Sequence, residues 1–294
     1  MKEQIQKENR EILGRLARFL NESARMISAD MVAELARGCG FSEHEAYGML
    51  LSAAIGLETD QNPHHRVLWN TYLPKILHRL SIDTYLNDPY LKAIRMPEKR
   101  HGRWRLGMSE YLPYEAFVSN DVLSSGDGRL YPQIGYFTEC YRYPVVYENG
   151  REWMLITPNE IETMREPIAF SRGRALTFGL GLGYFAFMAS RKDSVQSLTV
   201  VERDQDVISL FREIILPQFP YPEKIEIICD DAFAFAEREM GKGKYDVVFC
   251  DLWHDVSDGL ALYHRMKACE KHSPESRFFY WIEKTMLCYE SDLL

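Results

Sequence analysis

Apolar residues recur at helical spacing through the first 91 residues. Along the first predicted helix they form one stripe, with charged residues on the opposite face. The stripe consists of Ile5, Ile12, Leu13, Leu16 and Leu20. This pattern predicts a helical N-terminal domain over 1–125. Its first helix could serve as a docking or dimerisation arm, and a homodimer is one assembly that such an arm would allow.

Helix ends are marked within this region. Gly38 or Gly40 would end one helix, and Ser42 with Glu45 three residues later forms a capping box for the next. Two short helices joined by a glycine turn are typical of a helix-turn-helix or of a corner of a helical bundle. The second helix carries Glu43 and no Lys or Arg, which favours the bundle corner.

The hydrophobic period falls to two after Gly128. Short strands are predicted over 133–137, 142–147 and 152–156, the last two joined by a hairpin turn at Glu148-Asn149-Gly150. The sequence Thr157-Pro158-Asn159-Glu160 then supplies the N-cap, the first-turn proline and the capping glutamate of a helix. A small β-hairpin region with a connecting helix is therefore predicted over 126–165.

Predicted strands and helices alternate regularly over 166–294. The strands are expected at 175–178, 197–201, 224–229, 245–250 and 277–282. This alternation predicts an α/β fold, a Rossmann-like, doubly wound and mainly parallel sheet. Little sequence follows the fifth strand, so we expect the sheet to be shortened at its C-terminal edge or completed by another chain.

A glycine-rich turn follows the first of these strands. Gly179, Gly181 and Gly183 lie between a predicted strand that ends at Phe178 and a predicted helix that begins at Tyr184. Glycine has no Cβ to hold a ligand away from the backbone, and the first N–H groups of a helix can receive a negatively charged group. The alternative is an ordinary strand-to-helix turn without a ligand.

Acidic residues stand at the ends of the next three strands. They are Glu202, Asp231 and Asp251. Because ligands of such sheets bind beyond the carboxyl ends of the strands, we expect these side chains to meet the glycine turn at one edge. An acid about 20 residues beyond the glycines, here Glu202, is where ribose hydroxyls are bound in such folds. The pattern therefore indicates a nucleoside-containing ligand.

Details of the turn restrict that ligand. Sites for NAD and FAD place the third glycine one position later, where this chain has Tyr184. Phosphate-binding loops contain Gly-Lys-Ser/Thr, which does not follow here. Dinucleotides and nucleoside triphosphates are therefore disfavoured.

Charge and cysteine spacing exclude further classes. The chain of 294 residues has a formal net charge of -8, which disfavours nucleic acid and anionic membranes as partners. The longest nearly apolar run, 176–189, is too short to span a bilayer, and charged residues interrupt the first 20 positions. We therefore expect a cytoplasmic protein without a membrane partner. The six cysteines lack zinc-ligand spacing, so no metal site is predicted.

One basic segment stands out in this acidic chain. Residues 92–105 contain six Lys and Arg residues around Pro97 and Gly102. Such a segment is either a solvated surface loop or a surface that attracts an anionic substrate or partner.

Four ordered motifs resemble the class I S-adenosylmethionine-dependent methyltransferase superfamily, and most of all its spermidine-synthase-like branch. They are Phe178-Gly-Leu-Gly-Leu-Gly, Val200-Val-Glu, Asp231-Ala-Phe and Tyr245-Asp-Val-Val-Phe-Cys-Asp. The resemblance covers the chain from about residue 157 onward. It implies S-adenosyl-L-methionine as the cofactor.

The resemblance also implies roles for individual residues. Gly179, Gly181 and Gly183 would pass the methionine moiety, Glu202 would bind the ribose hydroxyls, and Asp231 would accept from the adenine amino group, with Phe233 against the ring. The implied cofactor site also includes Phe178, Ala232 and Asp251. Methyl transfer depends mainly on proximity and alignment. If a base is needed, Asp251 and His254 are the candidate catalytic residues, with Trp253 and Asp255 shaping the acceptor pocket.

Some positions depart from the family patterns. Aminopropyltransferases have Gly-Gly-Gly-Asp-Gly in the loop, and Leu182 stands here in place of that Asp. Their Asp-Ser-Ser-Asp-Pro corresponds to Asp251-Leu-Trp-His-Asp, which retains only the first acid in register. Many methyltransferases also carry an acid two places before the first glycine, where this chain has Thr177.

The expected activity is that of an S-adenosylmethionine-dependent methyltransferase acting on a small-molecule or protein acceptor. Two alternatives stay open. One is an aminopropyl- or other alkyl-transferase of the spermidine synthase type, and the other is a non-catalytic S-adenosylmethionine-binding protein.

Overall fold

A computed structural model describes residues 2–290. The first half of the chain contains, in order, α1 (Lys2–Ser23), α2 (Ala29–Cys39), α3 (Glu43–Ala54), α4 (Pro63–Ile76), β1 (Leu77–Arg79), α5 (Ile82–Leu86), α6 (Pro89–Ala93), β2 (Lys99–His101), β3 (Trp104–Tyr111), β4 (Phe117–Ser124), β5 (Leu130–Tyr136), β6 (Tyr141–Glu148) and β7 (Arg151–Leu155). The second half contains α7 (Pro158–Thr163), α8 (Arg165–Phe170), β8 (Gly173–Phe178), α9 (Tyr184–Ser190), β9 (Val195–Glu202), α10 (Gln205–Leu210), β10 (Ile225–Cys229), α11 (Ala232–Arg238), α12 (Met240–Gly243), β11 (Val247–Cys250), α13 (Val256–Cys269), β12 (Arg277–Tyr280) and α14 (Glu283–Leu287). Short 3-10 and π-helical segments complete it, including a π-helical turn at Phe211–Ile215.

The described residues form two compact units. Unit 1 comprises residues 2–83, 110–142 and 287–290, and unit 2 comprises residues 84–109 and 143–286. Each unit is described by itself below.

In unit 1, α1 buries the apolar stripe that the sequence predicts. Ile12, Leu16 and Phe19 lie in a core that also contains Tyr47 of α3 and Tyr72 of α4. Because this face packs inside the unit, the stripe is not available as a docking arm. A homodimer stays a prediction.

The predicted helix ends agree with the structure. Gly40, with φ 71°, follows the end of α2, and its N–H donates to the Ala36 carbonyl. The capping box of α3 is formed, since the Ser42 N–H donates to the Glu45 carboxylate at 2.8 Å and the Ser42 side chain accepts from the Glu45 N–H at 3.3 Å. α2 and α3 pack against each other, as expected for a bundle corner.

Four strands within residues 77–124 add to the predicted helical N-terminal region and were not predicted. β1 pairs parallel with β5, and β4 pairs antiparallel with β5, in a three-stranded sheet of unit 1. β2 and β3 form an antiparallel hairpin and belong to a four-stranded sheet of order β2-β3-β6-β7. The predicted hairpin of β6 and β7 is present, with positive φ at both Asn149 and Gly150, as two-residue hairpin turns require.

The basic segment over 92–105 is not simply a loop. It includes β2 and the start of β3, and three of its six charged side chains, Lys99, Arg103 and Arg105, form ion pairs within unit 2. Lys99 lies 3.0 Å from the Glu213 carboxylate, and Arg103 forms ion pairs with Glu148 and Asp204. This compensation leaves less positive charge for an anionic partner than the sequence suggests.

Unit 2 contains a five-stranded sheet that confirms the predicted fold class. Its order is β10-β9-β8-β11-β12 and every neighbouring pair is parallel. The chain runs outward from β8 to β10, returns to the other side of β8 and adds β11 and β12 there. β11 is fully buried, as an interior strand of a parallel sheet should be, whereas β10 at the edge is partly exposed. The order therefore reverses between β8 and β11, where such sheets bind ligands.

Two further features concern the whole described chain. None of the helices in residues 2–290 combines the length and the apolar character that a bilayer-spanning helix needs. No disulfide joins any of the six cysteines, all of which lie in that range.

Candidate functional site

A cleft of about 220 Å³ lies at the carboxyl ends of four strands of the parallel sheet. Each strand contributes residues that the sequence singles out. They are Gly179 and Gly181 after β8, Glu202 at the end of β9, Asp231, Ala232 and Phe233 after β10, and Asp251 after β11. The structure therefore brings the glycine turn and all three predicted acids onto one surface of unit 2.

The three glycines of the turn are required by the backbone itself. Gly179, Gly181 and Gly183 have φ of 94°, 49° and 75°, in the region that favours glycine. A Cβ on Gly179 would overlap the Asp251 carbonyl oxygen, and one on Gly183 would overlap the Phe211 ring. The need for glycine thus comes from φ and from packing against β11 and the π-helical turn, in addition to the ligand clearance expected from the sequence.

Glu202 links the glycine turn to the end of β9. The Leu180 N–H donates to one carboxylate oxygen at 3.2 Å, and the Asp204 N–H donates to the other at 2.9 Å. These bonds fix both oxygens in orientation. Each carboxylate oxygen can still accept a second hydrogen bond from a ligand hydroxyl.

Asp231 is the N-cap of α11. Its Oδ1 accepts from the Phe233 N–H at 3.1 Å and from the Ala234 N–H at 2.9 Å, which leaves Oδ2 without a hydrogen bond among the described residues. Phe233 is buried beside it, and the Arg265 guanidinium lies 3.8 Å from the centre of its ring. Asp231 thus serves both as a structural cap and as an exposed acceptor at the cleft.

Asp251 is an acid of the cleft whose ionisation the fold changes. Burial, and next the negative charge of Glu202, raise the pKa of Asp251 to about 7. Its N–H donates to the Phe178 carbonyl at 2.9 Å, which holds the end of β11 against β8. A carboxyl group with this pKa is present in both protonation states near neutral pH, as proton transfer requires.

Several predicted residues lie outside the cleft. Phe178 is fully buried, lies edge-on to Phe235 and does not line the cleft, and Gly183 lines only a smaller cavity. His254 does not line it either. Its Nδ1 lies 3.3 Å from the Asp255 carboxylate and its Nε2 lies 3.4 Å from the Glu152 carbonyl. Of the two catalytic candidates, only Asp251 therefore faces the cleft.

The residues after Asp251 have mixed positions. Trp253 lines the cleft, and its indole nitrogen is buried without a hydrogen-bond partner in residues 2–290. Asp255 instead caps α13, with Asp258 completing a capping box. Trp253 therefore lies at the cleft and its role in an acceptor pocket stays a prediction, whereas Asp255 stabilises a helix end.

Two tryptophans at the cleft were not predicted. Trp104 of β3 and Trp153 of β7 line it, with ring centroids 6.3 Å apart and planes at 70°. β3 was not predicted from the sequence, so Trp104 had no assigned environment. Period-two alternation in β7 places Trp153 on one face but does not say which ligand surface that face adjoins.

A second, smaller cavity of about 20 Å³ shares Met154, Gly179, Leu180 and Asp251 with the cleft. We call it the inner cavity. Glu160 of α7 lines it with an exposed fraction of 9%, and its carboxyl group makes no hydrogen bond among the described residues. Burial, and next the charge of Asp251, raise the pKa of Glu160 well above its usual range.

Glu160 also corrects a prediction about the start of α7. The helix begins at Pro158 as expected, but the Thr157 side chain makes no capping hydrogen bond. Glu160 therefore does not form the expected capping box. The sequence offered a local role for this glutamate, and only the packing of α7 beside the glycine turn reveals the inner cavity.

Comparisons with known proteins give only partial matches to solved structures. No protein-family model matches the chain, and no curated protein sequence matches it. Solved structures align over part of its length. A putative O-methyltransferase from Klebsiella pneumoniae is 20% identical over 35% of this chain and 44% of that chain, with a TM-score of 0.28.

Two further structures are of spermidine synthases. A probable spermidine synthase from Corynebacterium glutamicum is 23% identical over 38% of this chain and 44% of that chain, with a TM-score of 0.30. A spermidine synthase in complex with the transition state analogue AdoDATO is 17% identical over 60% of this chain and 51% of that chain, with a TM-score of 0.33. The chain thus spans about half the length of the structures that it matches.

Proposed function

We propose that this protein is an S-adenosylmethionine-dependent methyltransferase that acts on a small-molecule or protein acceptor. The observation that carries the proposal is the meeting of Gly179, Glu202, Asp231 and Asp251 on one cleft at the carboxyl ends of β8 to β11. A ligand with an adenine, a ribose and a chain beyond the ribose has a complementary group for each of these positions.

The charge of the cleft suits this cofactor. Carboxylates outnumber guanidinium groups in its lining, and Arg103 is already paired with Glu148 and Asp204. Opposite charges attract more strongly in a partly dehydrated site than in water. S-adenosylmethionine, when bound, would supply a methyl group on a positively charged sulfonium; the acceptor would bond to the methyl carbon as the carbon–sulfur bond breaks and S-adenosylhomocysteine leaves.

Each residue would have a distinct task. Glu202, with both oxygens fixed by backbone N–H groups, would accept the two ribose hydroxyls. Asp231 would accept from the adenine amino group through Oδ2, and Phe233 would pack against the ring. Asp251 would take the proton of an acceptor that must lose one, since its pKa is about 7.

Calorimetric titration of S-adenosylmethionine into the wild type and into Glu202→Gln tests the proposal. We expect at least tenfold weaker binding to the variant, because charged hydrogen bonds to a ligand contribute about 1.5 to 3 kcal/mol. Glu226→Gln is the matched control, because Glu226 is exposed on the neighbouring strand β10 and does not line the cleft. Binding that is absent in the wild type, or equally weakened in both variants, would contradict the proposal.

The inner cavity favours one second candidate, alkyl transfer from an amine-bearing sulfonium. Its lining within the described residues contains two carboxyl groups and no Lys, Arg or His. Decarboxylated S-adenosylmethionine, which has an amine but no carboxylate at that end, would then be consumed, and mass analysis of an amine acceptor would show a gain of an aminopropyl rather than a methyl group. A cofactor that binds but stays intact with every acceptor tested would instead indicate a non-catalytic binding protein.

A further inference from the structure

We propose that Glu160 and Asp251 form a binding site for a primary ammonium group in the inner cavity. The inference rests on the proposed function for the part of the ligand that occupies the main cleft. It adds a residue, Glu160, and a ligand group that the motifs do not assign. The ammonium group belongs either to the amino-acid end of the cofactor or to an amine acceptor.

The size of the inner cavity limits which ligand groups can enter it. Its volume of about 20 Å³ is close to what one water-sized group needs. An ammonium group has that size, whereas a guanidinium or a carboxylate with its substituents is larger. The cavity shares Asp251 and the glycine turn with the main cleft, so a ligand in the cleft can extend a short chain into it.

The side chains that line the inner cavity limit the charge of the group that can bind there. Most of the lining is apolar, including Ile156, Leu182 and Phe185, and the two carboxyl groups are its acidic members. The hydroxyl of Tyr184, which also lines the cavity, already donates to the Asp88 carboxylate at 2.9 Å. A cation is therefore the ligand that complements these two carboxyl groups.

Glu160 supplies the independent observation that something is to be bound. A buried polar group without a hydrogen bond is costly, and such groups in native proteins usually have a partner. The carboxyl of Glu160 has none among the described residues, although it is nine-tenths buried and lines the cavity. An ammonium group has three N–H donors and a positive charge, so it can satisfy Glu160 and Asp251 together.

Binding of three ligands to the wild type and to Glu160→Gln tests the site. S-adenosylhomocysteine carries the adenosine and the ammonium group, 5′-methylthioadenosine carries the adenosine without it, and 1,4-diaminobutane carries only ammonium groups. We expect Glu160→Gln to bind S-adenosylhomocysteine at least tenfold more weakly and 5′-methylthioadenosine within twofold of the wild type. Glu166→Gln, an exposed glutamate on α8 that lines neither cavity, is the control and should bind all three as the wild type does.

The outcomes separate the site from the proposed function. A loss confined to S-adenosylhomocysteine assigns the ammonium group to the cofactor, and a loss confined to 1,4-diaminobutane assigns it to an acceptor. Equal losses for both nucleosides, or no loss for any ligand, overturn the ammonium site, whereas binding of both nucleosides to the wild type still supports the proposed function. If only 1,4-diaminobutane binds, and does so through Glu160, the ammonium site stands and the proposed function fails. If no ligand binds the wild type, both fail.

Proton release gives a readout that a purely structural role would not change. Burial raises the pKa of Glu160, and an ammonium group bound beside this carboxyl should lower that pKa again and favour release of the proton. The titratable groups around it are Asp251 after β11 and Tyr184 on α9, with Glu202 beyond Asp251. Calorimetry at pH 7 in two buffers of different ionisation enthalpy should show proton release on binding of S-adenosylhomocysteine, and less release for Glu160→Gln. The same release from both proteins would overturn the role of Glu160.

Discussion

Gly179 illustrates how single residues shape this site. Its φ of 94° would be strained for any residue with a side chain, and a Cβ would meet the backbone carbonyl of Asp251 rather than a movable side chain. The backbone of Gly179 can lie this close to the Asp251 carbonyl because it has no Cβ, and the glycine turn therefore packs against the end of β11. The residue that opens the loop to a ligand therefore also fixes the distance between the loop and the central acid.

Replacing this glycine should destabilise unit 2 and weaken ligand binding. For Gly179→Ala we expect a loss of roughly 2–4 kcal/mol in the free energy of unfolding, from backbone strain and overpacking together. Urea denaturation followed by circular dichroism measures this loss. Gly126→Ala is the control, because Gly126 has no atom within 4 Å of an added Cβ and no positive φ. Equal stability of the two variants would show that the loop relaxes without cost.

At the scale of elements, the sequence predicted correctly those helices and strands whose ends are marked by local signals. α3 begins and α2 ends where the cap residues place them, because these signals satisfy free N–H and C=O groups within the same segment. The strands of the parallel sheet were also found within a few residues, since each is a short apolar run between turn residues. Elements with strong local determinants are thus readable from one sequence.

β4 shows why other strands were missed. Its register against β5 shifts between Val118 and Asn120 and again between Asn120 and Leu123. Each bulge adds a residue and breaks the alternation of apolar and polar positions on which a strand prediction depends. β1 and β2 have only three residues each and are defined by their partners in the sheet. Long-range pairing, which no local pattern encodes, decides such strands.

The capping box of α3 allows a quantitative test at this scale. Ser42→Ala removes the hydroxyl that accepts a hydrogen bond from the Glu45 N–H, and it weakens the reciprocal bond from the residue 42 N–H to the Glu45 carboxylate. We expect the free energy of unfolding to fall by about 1–2 kcal/mol. Ser28→Ala is a matched comparison, because Ser28 caps α2 through one hydrogen bond from Met31 without a capping box. Thermal denaturation of both variants should therefore show the larger fall in melting temperature for Ser42→Ala. A larger fall for Ser28→Ala would mean that the reciprocal bond of Glu45 adds no stability.

At the scale of the whole molecule, the sequence indicated which strand ends would meet but not what lies behind them. Glu202, Asp231 and Asp251 could be grouped because parallel strands end at the same edge of a sheet. Glu160 could not, since its position at the third residue of a helix has a sufficient local explanation. Arg103 likewise reads as one charge of a basic segment, and only the fold places it against Glu148 and Asp204. Roles that depend on tertiary burial or on distant charge partners lie beyond a single sequence.

The buried carboxyl groups should also make the stability of the protein depend on pH. Asp251 has a pKa of about 7 in the folded protein, above its ordinary value of 3.8, and the pKa of Glu160 is raised as well. Between the unfolded and the folded pKa of Asp251, the folded state binds more protons than the unfolded state, so the free energy of unfolding must fall as the pH rises. The stabilising contribution is complete below about pH 4 and is lost as the pH passes through about 7.

Asp251→Asn should remove the part of this dependence that comes from Asp251, because asparagine does not titrate. One unit of pKa shift corresponds to about 1.4 kcal/mol, so we expect the variant to gain on the order of 2 kcal/mol or more over the wild type between pH 5 and pH 8. Urea denaturation at both pH values measures this difference, with the exposed Asp193→Asn as a control whose offset from the wild type should not change with pH. A constant offset for Asp251→Asn would show that this carboxyl group ionises alike in the folded and unfolded chains. A stability difference between Asp251→Asn and the wild type that grows from pH 5 to pH 8 would assign the pH dependence to this residue of the site. The burial that destabilises the ionised carboxyl group at pH 8 would also favour the binding of a cationic ligand beside it.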